Sequence, residues 1–135
     1  MKRVQILTLF CFFAYSIFAQ TIVWKKVASL PDGFNGGEAV SLNNEVYFVA
    51  GRTKTSKSAS FYKYNPKTNQ WKKLADVPKP ATNFALAAVQ GKIYAIGGDL
   101  FKDANREYNP QTNSWKLLKP MPTPRQHINC GFYEN

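Results

Sequence analysis

The residues best suited to chemistry in this chain are Arg125-Gln126-His127. A guanidinium is a permanent planar cation that matches a carboxylate or a phosphate. An imidazole titrates near neutrality and can give or take a proton. His127 is the single histidine of the sequence, so any acid–base role would fall on that one ring. Arg125 and His127 are therefore weak catalytic candidates and better candidates for ligand binding. A second group of cations, Arg52, Lys54 and Lys57, lies in one polar stretch between apolar runs. It could bind an anion, although such a stretch is more often a solvated loop. Asn83 offers one amide to a ligand. Asp99 and Asp103 flank Lys102, with no matching acid pair to form a general acid–base couple.

Several chemistries are excluded by what is missing. A zinc site needs three or four clustered ligands, and one histidine with scattered acids supplies none. A serine triad would have to use that same histidine, and no Gly-x-Ser-x-Gly elbow occurs. Gly97-Gly98 resembles a phosphate loop but opens no helix, so no helix N-terminus faces an anion. No metal and no cofactor are expected.

The first 19 residues read as a secretory signal. Lys2 and Arg3 form its positive start, Val4 to Phe18 are mostly apolar, and Ala19 precedes a cut before Gln20. A membrane span needs about 20 apolar residues, so no stable anchor is expected after cleavage. The mature chain would be secreted or periplasmic. Cys11 falls in the signal, which leaves Cys130 unpaired and rules out an intrachain disulfide. The formal charge of +10 draws anions to the surface. Acidic glycans or proteins suit it. Export argues against nucleic acid, and no aromatic platform is left free for bases.

Positioning these residues falls to an internal repeat. Trp24, Trp71 and Trp115 are spaced by 47 and 44 residues. They open the phrases Trp24-Lys25-Lys26-Val27, Trp71-Lys72-Lys73-Leu74 and Trp115-Lys116-Leu117-Leu118. A proline follows at the same distance each time, at Pro31, Pro78 and Pro122. Tyr47 and Tyr94 recur in register, as do Gly51 and Gly98. Tyr64-Asn65-Pro66 through Trp71 matches Tyr108-Asn109-Pro110 through Trp115. The length difference between units falls in one place, which marks a surface loop.

These phrases resemble kelch repeats, whose blades build a β-propeller. The first unit departs in having Ala50-Gly51 instead of a double glycine. The arginine expected before the first strand appears only as Arg125. The resemblance implies that Arg125 is a structural arginine and that the loops around Pro31–Gly37, Arg52–Ser58, Pro78–Asn83, Asp99–Asp103 and Pro122–His127 share one face. A copper oxidase of this kind would need two histidines. A sialic-acid (N-acetylneuraminate) epimerase is the enzyme class that the resemblance keeps open.

Short apolar runs that end in glycine, Val46–Val49 and Ile93–Ile96, read as buried strands. Asn43-Asn44 and Gln90-Gly91 read as tight turns. The expected fold is all-β. Residues 38–75 and 83–119 each make a four-stranded blade. Thr21–Ala28 forms a leading outer strand. A third repeat begins at 120–135 with Ile128–Tyr133 as its inner strand. The result is a partial propeller, truncated or completed by self-association. Gly51, Tyr64, Trp71, Gly97, Gly98, Tyr108 and Trp115 are read as structural repeat residues, because a side chain in the same place in every blade serves packing. The expected function is a non-catalytic protein- or glycan-binding module, with the epimerase as the alternative.

Overall fold

The computed structural model describes residues 22–56 and 58–131. Its strands are β1 (Glu38–Leu42), β2 (Glu45–Val49), β3 (Phe61–Asn65), β4 (Gln70–Lys73), β5 (Ala85–Val89), β6 (Lys92–Ile96), β7 (Asn105–Asn109) and β8 (Ser114–Leu117). They form two antiparallel sheets, ordered β1-β2-β3-β4 and β5-β6-β7-β8. Each sheet is a meander in which neighbours in sequence are neighbours in space. This all-β arrangement is the one expected of two propeller blades.

Local sequence explains the turns. Asn43 and Asn44 both have positive φ, 52° and 61°, as do Gln90 and Gly91, at 47° and 75°. A two-residue hairpin with both central residues left-handed follows the natural strand twist, and Asn and Gly tolerate that region. In the β3–β4 and β7–β8 hairpins, Asn65 Oδ1 accepts from the Lys67 amide at 2.8 Å and Asn109 Oδ1 from the Gln111 amide at 3.0 Å. Proline then fixes the turn at Pro66 and Pro110.

Register sets the two faces of each sheet. In the first, Tyr47 lies opposite Lys63 and Val49 opposite Phe61, while Phe48 pairs with Tyr62 and Tyr64 with Trp71. In the second, Ile93 lies opposite Tyr108, Ala95 opposite Arg106 and Tyr108 opposite Trp115. The core forms where the Tyr47–Val49–Phe61 face of one sheet meets the Ile93–Ala95–Tyr108 face of the other. Phe61 sits at its centre, with its ring 4.7 Å from Tyr108 and 5.1 Å from Trp115. The innermost strands β1 and β5 also lie against each other.

The flanking segments differ from the strands read in the sequence. Neither Ile22–Ala28 nor Ile128–Gly131 pairs in a ladder. A strand holds its shape through hydrogen bonds to a neighbour, and among the described residues no sheet offers these segments one. The rest of each expected strand, Thr21 and residues 132–133, lies outside the described residues, as does the whole expected signal, 1–19.

Candidate functional site

Two structural devices hold the blades so that their loops meet. The first is a clamp at the β3–β4 hairpin and again at the β7–β8 hairpin. Tyr108 Oη donates to Asn113 Oδ1 at 2.9 Å, and that same oxygen accepts the Ala75 amide of the preceding sheet at 3.0 Å. Trp115 Nε1 donates to the Ala75 carbonyl at 3.0 Å. Both backbone polar groups of one residue just past β4 are thus held by the next blade. The first blade repeats the device on Ala28. Tyr64 Oη and the Ala28 amide reach Asn69 Oδ1, each at 2.8 Å, and Trp71 Nε1 reaches the Ala28 carbonyl at 2.9 Å. Asn69 and Asn113 have φ of 54° and 49°. That left-handed turn positions each amide for its two partners. The repeat pattern alone does not reveal this role of the two asparagines. Their equal distance from the following tryptophan was the signal that could have shown more.

The second device is Arg106, which no repeat or motif in the sequence singles out. Its side chain is almost wholly buried, at 1% exposure. Nε donates to the Pro78 carbonyl at 2.9 Å and Nη2 to the Lys79 carbonyl at 2.7 Å. Nη1 reaches the carbonyls of Gly97 at 3.1 Å and Ala95 at 3.3 Å. Burial lowers its pKa below the ordinary arginine value, and the nearby charge of Asp103 opposes that shift. A guanidinium stays protonated even so, and carbonyl dipoles replace its water. Arg106 therefore ties the chain between the blades to the glycine turn after β6. Tyr62 occupies the corresponding place in the first blade.

At the end of the sheets where β1 and β5 begin, the connecting loops are knitted by backbone bonds. Asn35 and Arg52 exchange amide and carbonyl bonds at 2.9 and 3.0 Å. One repeat later, the Asp99 amide donates to the Thr82 carbonyl at 3.0 Å. The Asp99 carboxylate in turn accepts from the Thr82 amide at 2.8 Å and hydroxyl at 2.9 Å. The Gly98 amide donates to the Arg125 carbonyl at 3.1 Å, the Arg125 amide to Lys102 at 2.7 Å, and the His127 amide to Asn83 at 2.8 Å. A carboxylate and backbone bonds thus fix the positions of the side chains on this rim.

The predicted residues fall into two parts of this rim. Asn83 and His127 are adjacent through their backbones, and Arg125 adjoins Lys102. The side chains of Arg125 and His127 are exposed, and Asn83 is half-buried. His127 has φ of 54°, so it sits in a turn. Arg52 and Lys54, both exposed, line a shallow depression of about 450 Å³ with Gly33, Phe34, Asn35 and Thr53. Lys57 lies outside the described residues. Lys79 adds a further cation, placed 5.4 Å from the centre of the Phe101 ring. The arrangement presents cations and a few amides, and it can attract and orient an anion. Among the described residues, the depression at Arg52 and Lys54 is not lined by Asn83, Arg125 or His127.

The residues read as structural are placed as follows. Tyr64, Trp71, Tyr108 and Trp115 form the clamps. Gly51, Gly97 and Gly98 are buried at the turns after β2 and β6. A Cβ on Gly97 would meet the Arg125 carbonyl at 2.7 Å, and one on Gly98 would meet Ala81 Cβ at 2.5 Å. Trp24, by contrast, is 92% exposed.

Two four-stranded meanders packed face to face, with loops gathered at one end, define successive blades of a β-propeller. A family model described as the Kelch motif matches residues 34–78 and 80–122, and the chain belongs to the kelch-repeat family. It is similar to Kelch-like protein 41b of Danio rerio, 36% identical over 76 residues, which cover 56% of this chain and 13% of that protein. Kelch-like ECH-associated protein 1A of Danio rerio is 36% identical over 80 residues, with the same coverage of 56% and 13%. Kelch-like protein 42 of Homo sapiens is 42% identical over 62 residues, covering 45% and 12%. The solved structure of YjhT aligns with a TM-score of 0.64 and 25% identity over 74% of this chain and 31% of that one. The chain spans roughly an eighth of the length of these curated relatives.

Proposed function

We propose that this chain is an exported, non-catalytic binding module that engages a protein or an acidic glycan through its basic loop rim. The observation that carries this reading is the exposure of Arg52, Lys54 and Arg125 on loops each pinned by backbone bonds to a neighbouring loop, Arg52 to Asn35 and Arg125 to Gly98 and Lys102. Cations on a fixed frame lose less freedom on binding than cations on free loops. Kelch-repeat propellers typically bind proteins, and one relative is named an ECH-associated protein. The positive balance of charge supports an acidic partner. Binding to immobilised sialylated oligosaccharides and to an acidic peptide library tests the reading. Reversing charge at Arg52 and Arg125 together, with the fold retained, should abolish capture. Capture unaffected by both changes would overturn it. Export has its own test: N-terminal sequencing of the mature protein should begin at Gln20.

A second reading, a carbohydrate-active enzyme acting on a sialic acid, draws on the adjacency of His127 to Asn83 and of Arg125 to Lys102. It requires anomer interconversion of N-acetylneuraminate that is lost in His127→Ala. A folded protein without that activity excludes it.

A further inference from the structure

The path leaving β8 repeats the path leaving β4 bond for bond. After β4, the Leu74 amide donates to the Phe61 carbonyl and the Val77 amide to Ala59, both at 2.8 Å. After β8, the Leu118 amide donates to Asn105 and the Met121 amide to Asp103, again both at 2.8 Å. Between those bonds stand Ala75 in the first case and Lys119 in the second. Ala75 is gripped by the next blade through Asn113 and Trp115. Lys119 is exposed, and its carbonyl takes a long 3.5 Å bond from Asn105 Nδ2. Asn105 occupies the place that Phe61 fills in the first blade, where the rings of Tyr108 and Trp115 arrive. The second blade therefore presents its exit in the backbone geometry that the first blade offers to its neighbour.

The first blade carries such a clamp, Tyr64–Asn69–Trp71. It is filled by Ala28, from a segment that makes no ladder and leaves Val23 82% and Trp24 92% exposed. Ala75 reaches its clamp two residues past the paired strand β4, whereas Ala28 reaches its own from a segment that pairs with no strand. Such an occupant is readily exchanged.

We propose that the clamp of the first blade is a docking site for a second copy of this chain. It would take the Leu118–Lys119 exit of that copy as the second blade takes Leu74–Ala75, with the segment around Ala28 acting as an intrasteric plug. The occupant follows from continuity with the interface between the blades: the same clamp and the same exit already meet once within the chain. A contact between two different patches is head-to-tail and propagates until a ring closes.

The test is sedimentation equilibrium of the full chain across a wide concentration range. Ala28→Pro removes the plug's amide donor and should lower the concentration for half-association by about tenfold, the equivalent of about one hydrogen bond. On that background, Asn69→Ala disables the clamp, and Lys119→Pro disables the exit by removing its amide. Each alone should remain monomeric with an unchanged circular dichroism spectrum. Mixed together they should form a dimer, because the clamp of one and the exit of the other are intact. Association that survives both single changes overturns the proposal. So does an Ala28→Pro protein that stays monomeric, or a mixture that does not dimerise.

Discussion

At the level of single residues, stability rests on a few polar side chains with several partners each. Asn113→Gly keeps the left-handed turn accessible while removing the amide shared by Tyr108 and Ala75. Urea unfolding should show a loss of about 1–2 kcal/mol, and Asn113→Ala should lose more because alanine resists positive φ. Arg106→Met preserves much of the volume but leaves the carbonyls of Pro78, Lys79, Ala95 and Gly97 without their donor. A loss of about 3 kcal/mol is expected, read from the same unfolding curves. Tyr108 adds a pH dependence. Burial pushes its phenol up from 10.0 to about 12, with the neighbouring Tyr47 adding to the shift. Because the folded-state value is the higher one, the stabilising contribution is fully present below pH 10 and is lost as pH rises through about 12. Chemical denaturation across that window should show stability falling with pH, and Tyr108→Phe should flatten part of the decline.

At the level of elements, the turns after β2 and β6 decide how closely the loops approach the sheets. Gly98 has φ of 111°, a region that side chains avoid, and Ala81 stands where its Cβ would go. Gly98→Ala should therefore separate the rim loops and lower the melting temperature by several degrees, a shift that corresponds to about 1 kcal/mol or more. The outermost strands answer a different need. β4 and β8 are open sheet edges, and an open edge invites pairing with other chains. Lys72, Lys73 and Lys116 are all exposed there. Replacing Lys72 and Lys116 with valine should leave the fold intact and increase aggregation, measured by light scattering.

At the level of the molecule, the two sheets share one core and should unfold together. Phe61 belongs to the first sheet yet packs on two rings of the second. Phe61→Ala should cost about 3–5 kcal/mol and weaken hydrogen-exchange protection in β6 and β7 as much as in β2 and β3. Protection lost in the first sheet alone would show that the blades are independent.

The sequence by itself determined the repeat, the strand order within each blade and the hairpin turns. These depend on local pattern: alternating burial, Asn and Gly at positive φ, and a tryptophan at a fixed distance from a tyrosine. The outcome at the flanks was not legible, because Thr21–Ala28 has strand-forming character but a strand exists only if a partner edge is present. The role of Arg106 was equally hidden. Its cage is assembled from carbonyls of Pro78 and Lys79 on one side and of Ala95 and Gly97 on the other, and no local pattern brings those together. The double use of Asn69 and Asn113 also waited on the tertiary structure, since half of each amide's partners belong to a neighbouring repeat. Only packing of one blade on the next decided which polar groups are buried, which are shared, and which cations are left on the rim.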